Sequence, residues 1–157
     1  SGQYGIHTNK AYLVESLNVA FAVIDAASAI TLSDDDAVFA AYFKNDDIPT
    51  GNDIYLNLRD NTLAASHSVR FEFNASNQAV YVATNAIDDY GIEDMGNGWY
   101  RVWLYLDLAT RGLTGNDFLP RIEPFSVTSN GIGLYIDGAM LQEGVVEPTR
   151  YLEVDCP

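Results

Sequence analysis

The chain has 157 residues, 48% apolar and 12% aromatic, enough for one domain with a packed core. Its 22 acidic residues against 8 Lys and Arg give a formal charge of −14, which repels nucleic acid and anionic membrane surfaces at long range and points to a neutral or cationic partner. No run of about 18 apolar residues and no basic segment leading into an apolar one occurs, so neither a membrane span nor a signal peptide is expected.

Residues 1–36 read two ways. Leu13, Leu17, Ala20, Phe21 and Ile24 fall at helical spacing, while Val19, Phe21 and Val23 alternate. A strand or arm is expected there, packed on the main domain or on a neighbouring subunit. From residue 37 to 157, apolar and polar residues alternate between turn clusters about ten residues apart, the pattern of an all-β antiparallel sandwich. Strands are predicted over 38–44, 53–59, 68–74, 78–83, 99–107, 119–125 and 132–141. Asn97-Gly98 tolerates positive φ at both positions and so predicts a tight turn launching the strand at Trp99. Pro120 and Pro124 cannot donate to a ladder, so their strand should be short, irregular or at a sheet edge. The one cysteine, Cys156, leaves no internal disulfide to form.

Alternation also sorts faces. Ile54, Leu56, Leu58, Val69, Phe71, Phe73, Val80, Val82, Val102, Leu104, Leu106, Ile132, Leu134 and Ile136 should point inward. The opposite parity collects Tyr55, Asn57, Arg59, Arg70, Glu72, Tyr81, Arg101, Trp103, Tyr105, Tyr135 and Asp137. Such a mixture suits a sugar, because a pyranose ring stacks on an aromatic face while its hydroxyls need planar donors and acceptors. Trp103 and Tyr105 are the first candidates for stacking, with Arg101, Arg70, Asn57, Asp137, Tyr55 and Tyr135 around them. Burial against a partner subunit would use the same residues.

Other chemistry has weaker signals. Asp34, Asp36, Asp88 and Asp89 lie in turn-like stretches and are candidates for a structural Ca2+, although their spacing matches no EF-hand loop. Otherwise no cofactor is expected. Adjacent carboxylates in turns diverge, and His7 and His67 have no matched Ser or Cys elbow, so no catalytic residue is assigned.

Two stretches carry a family resemblance. The first is Gly96-Asn97-Gly98-Trp99-Tyr100-Arg101; the second runs Tyr135-Ile136-Asp137-Gly138-Ala139-Met140-Leu141-Gln142-Glu143-Gly144 and continues in Glu147-Pro148-Thr149-Arg150-Tyr151. Together they resemble the closing strands of the concanavalin A-like, carbohydrate-binding-module-like jelly rolls of bacteriophage structural proteins. Asp137 and Met140 depart from the pattern, which commonly has an aromatic and a glutamine there. The resemblance implies a jelly-roll sandwich on a virion surface, in a tail or head fibre or a capsid decoration, non-enzymatic and binding host-surface carbohydrate. It further implies contact with other virion proteins and a homo-oligomer, a trimer by preference. Alternatives are a joining or decorating domain with no glycan, or the accessory domain of a polysaccharide depolymerase.

Overall fold

The computed structural model describes residues 3–5, 12–16, 22–26, 28–125 and 132–149. The elements are β1 (Gln3–Gly5), β2 (Tyr12–Ser16), β3 (Ala22–Asp25), β4 (Ile30–Thr31), β5 (Asp36–Asn45), β6 (Ile54–Asp60), β7 (Ala65–Phe73), β8 (Ala79–Asn85), β9 (Asp89–Gly96), β10 (Trp99–Asp107), α1 (Leu108–Arg111), β11 (Asp117–Phe125) and β12 (Ile132–Glu143). In one sheet β5 lies between β10 and β12, with β9 beyond β10, and β1 and β2 on successive parts of β12. The other has the order β11-β6-β7-β8, with β3 and β4 on the free side of β11. All pairings are antiparallel. The chain is thus an all-β sandwich of two packed sheets, the β5 sheet and the β6 sheet.

The alternating residues supply the core. Phe39, Ala41 and Phe43 of β5 and Val102, Leu104 and Leu106 of β10 are buried against Ile54, Leu56 and Leu58 of β6 and Val69, Phe71 and Phe73 of β7. Rings lock the sheets together: Phe43 meets Phe71 edge-on at 4.9 Å between centroids, and Tyr100 meets Phe73 at 6.1 Å. Burying each large apolar side chain contributes about 1.5–3 kcal/mol relative to exposure. Between β10 and β11 the one-turn helix α1 starts on Asp107, whose carboxylate accepts from the Thr110 N–H at 3.0 Å, and stops at Gly112, φ 69°.

Three features depart from the expected strands. β9 takes up residues where no strand is expected, and it forms the hairpin with β10 through Asn97 and Gly98, φ 56° and 81°. In β8 a register shift opposite Arg70 and Phe71 places Tyr81 across from Phe71 and Val80 across from Glu72. Tyr81 therefore faces the other sheet and Val80 the outside, the reverse of the alternation reading; Ala79 occupies the inward position next to Phe73. Lastly, β11 is neither short nor at an edge, since it has partners on both sides. It is irregular: Pro120 falls in the gap between β4 and β3, and Pro124 within a register shift against β3. Leu17, Ala20 and Phe21 lie outside the described residues.

A second bulge shapes β12. Asp137 pairs with Tyr42 and Met140 with Ala40, so one extra residue is inserted at Gly138, φ 57°. Parity flips there. Leu134 and Ile136 point inward before the bulge and Leu141 after it, leaving Met140 and Gln142 on the outer face.

Candidate functional site

The outward residues divide between opposite faces of the sandwich. Tyr55, Asn57 and Arg70 lie on the outside of the β6 sheet, whereas Arg101, Trp103, Tyr105, Tyr135 and Asp137 lie on the outside of the β5 sheet. Packed sheets are about 10 Å apart, backbone to backbone, with the core between them. The two sets cannot hold one ligand together.

On the β5 sheet the candidate residues are engaged with the protein itself. Trp103 is 7% exposed and packs with Val38, Ala40, Tyr105 and Val145 in a small cluster outside the main core. Its indole also lies against Gly91 of β9, where an added Cβ would stand 2.1 Å from Nε1. Val145 belongs to a strap that follows β12 and returns over this face. The Gln142 side chain clasps it, donating to Thr149 Oγ1 at 2.6 Å and accepting from the Thr149 N–H at 3.0 Å. Arg101 is held by Glu93 at 2.5 Å and reaches the Thr149 carbonyl at 3.4 Å. Tyr105 donates to Asp36 at 2.5 Å, and this bond, with burial, raises its pKa far above the ordinary tyrosine value. Tyr135 and Asp137 are half-buried. A covered indole offers no stacking surface, so Trp103 packs under the strap and does not present its ring to solvent. Arg150 and Tyr151 lie outside the described residues.

The other face is open. A groove of about 440 Å³ crosses β11, β6, β7 and β8 on the outside of the β6 sheet. Pairing register sets its layout: Glu123, Tyr55, Arg70 and Ala83 form one row across the strands, and Arg121, Asn57, Ser68 and Asn85 form the next. Arg59 and Ser66 begin a third. Four strands at about 4.8 Å spacing make the groove about 14 Å wide, and rows repeat every two residues, about 6.8 Å. These dimensions accommodate two or three linked pyranose rings.

Within the groove the Arg70 guanidinium lies 5.2 Å from the Tyr55 ring centroid and donates to the Tyr55 hydroxyl at 3.0 Å, with Asp53 3.8 Å from its Nε. Asn57 is 5% exposed. Its Nδ2 reaches Ser66 Oγ at a long 3.4 Å, and its Oδ1 has no hydrogen-bond partner. A buried acceptor left without a donor costs about 1–3 kcal/mol, so the Asn57 oxygen is a standing demand for a hydroxyl or N–H. Arg121 lies 3.9 Å from Glu123. Arg59, Ser66 and Asn85 were not among the sequence's site candidates; Arg59 and Arg121 belong to the same alternation pattern, but only the pairing of β6 with β11 brings them together.

No family model matches the chain, and no curated protein matches it either.

The calcium candidates do not converge. Among the described residues no three Asp, Glu, His or Cys side chains are grouped to hold a metal ion. Asp36 accepts from Tyr105, Asp88 accepts twice from Arg111, and Asp89 accepts from the neighbouring Tyr90 N–H; the N–H of Asp34 is taken by Glu143. His67 is 5% exposed inside the sandwich, where Nδ1 donates to the Ala86 carbonyl at 2.7 Å and the ring lies against Phe118. His7 lies outside the described residues.

Proposed function

We propose that the chain is a non-enzymatic carbohydrate-binding module of a bacteriophage virion surface protein, in a tail or head fibre or a decoration, with host-surface glycan as its ligand. The observation that carries the ligand is the β6-sheet groove, where an aromatic ring, guanidinium groups and an unsatisfied amide oxygen share one open, sugar-sized face. The virion setting rests on the resemblance of 96–101 and 135–151 to phage jelly rolls. Among the described residues that line the groove, Glu123 is the single carboxylate, whereas glycoside hydrolysis ordinarily takes a pair, which supports a reading of binding without cleavage. A homo-oligomer would add the weak sites together through effective concentration.

Tyr55→Ala and Asn57→Ala should each weaken retention on an immobilised host glycan by about tenfold, measured by surface plasmon resonance, with the melting temperature little changed. Wild-type affinity in both variants would remove the groove from consideration. A joining domain without a glycan is the second reading, favoured by Tyr81, Tyr90 and Met95, which are 48%, 38% and 48% exposed on the edge strands β8 and β9. On that reading Tyr90→Ser and Met95→Ser shift the sedimenting species towards monomer, and on the glycan reading they leave binding intact.

A further inference from the structure

We infer that the groove selects an acidic sugar, seating a carboxylate or sulfate oxyanion on Arg59; this deepens the carbohydrate reading and rests on it. The first observation is where the positive charge lies. The chain has 8 Lys and Arg in all, and three of them, Arg59, Arg70 and Arg121, line this groove. In a chain of net charge −14 the groove is a local reversal of sign.

The second observation concerns partners. Arg101 is paired with Glu93, Arg111 with Asp88, Arg70 with Asp53 and Arg121 with Glu123. Among the described residues, Arg59 is the one arginine with no acidic partner. A guanidinium presents a planar fork that matches a carboxylate or sulfate edge with two parallel hydrogen bonds. Beside it, Ser66 and Asn57 supply a hydroxyl and an amide for the neighbouring ring hydroxyls.

Net charge does not oppose this. The screening length in physiological salt is about 8 Å, so acids on the far face are screened while groups lining the groove act at contact. The overall charge slows the approach of an acidic polymer, and the groove decides whether it stays.

The test is a glycan array carrying matched neutral, uronic-acid and sulfated oligosaccharides, probed with the wild-type chain and with Arg59→Gln. Acidic glycans should bind at least tenfold more tightly than their neutral counterparts, and Arg59→Gln should abolish that preference by weakening acidic glycans about tenfold more than neutral ones, with the melting temperature little changed. The carboxylate and sulfate arms show which oxyanion is held, and preference for either supports the inference. Equal binding of neutral and acidic glycans, unaffected by Arg59→Gln, overturns the acidic selectivity and leaves the carbohydrate reading standing. Binding to no glycan of any class overturns both.

Discussion

Trp103 and Gly91 show how far a single residue's role follows from its position in the chain. Alternation places Trp103 on the outer face, and there it lies. What covers it, Val145, is some forty residues further on, and no local pattern announces a strap that folds back. Gly91 has a matching reason to be glycine, because the indole occupies the space where any side chain would begin. Gly91→Ala should therefore cost about 1–3 kcal/mol of stability, as overpacking does, read from the urea midpoint. Trp103→Ala should cost about 3 kcal/mol through the cavity it leaves. Neither change should alter binding in the groove on the opposite face. Loss of glycan binding in a folded Trp103→Ala protein would return the ligand to the β5 sheet.

At the scale of elements, the central strands were legible because burial on one face imposes a strict two-residue period, as in Ile54, Leu56 and Leu58. The edges were not. β9 exposes much of its length, so selection for an apolar face is relaxed and no two-residue apolar period marks it as a strand. β8 and β12 contain bulges, and one inserted residue reverses every inward assignment beyond it, as Tyr81 and Met140 demonstrate. For the same reason the groove was legible residue by residue but not as a unit: Tyr55, Asn57 and Arg70 were recognisable, while Arg121 joins them only through strand pairing. Gly138 marks the bulge in β12, and its positive φ penalises a β-branched side chain. Gly138→Val should lower stability by about 1–3 kcal/mol. Its effect should show as a lower thermal midpoint, and an unchanged midpoint would mean the bulge can relax without harm.

Over the whole molecule, average charge was a poor guide to local charge. The −14 balance argued for a neutral or cationic partner, yet strand pairing across β11, β6 and β7 gathers three arginines on one face. Charge still governs stability against pH. Burial opposes ionisation of Asp88, but the Arg111 hydrogen bond, the Asp107 N–H and the Arg111 charge outweigh it and hold the carboxyl below its ordinary value. A depressed carboxyl pKa gives stability that is present above about pH 4 and lost as pH falls through the folded value. Tyr100, raised by burial and by Asp94, and Tyr105, raised by its bond to Asp36 and by burial, act at the other end. They keep protons that the unfolded chain releases near pH 10, so their contribution is present below that and lost as pH rises. Denaturation midpoints should fall below about pH 4 and above about pH 10. Asp88→Asn should soften the acid limb and Tyr105→Phe the alkaline one; limbs identical to wild type would assign the pH dependence to other groups.

The covered face under the strap has an optical consequence. Both tryptophans of the chain, Trp99 and Trp103, lie on β10 on the side away from the groove. Tryptophan emission is thus a reporter of the strap and blind to the ligand. Lifting 144–149 would wet the indole of Trp103 and redden its spectrum, whereas a sugar filling the groove would leave the spectrum unmoved, with Tyr55 as the nearest chromophore to sense it.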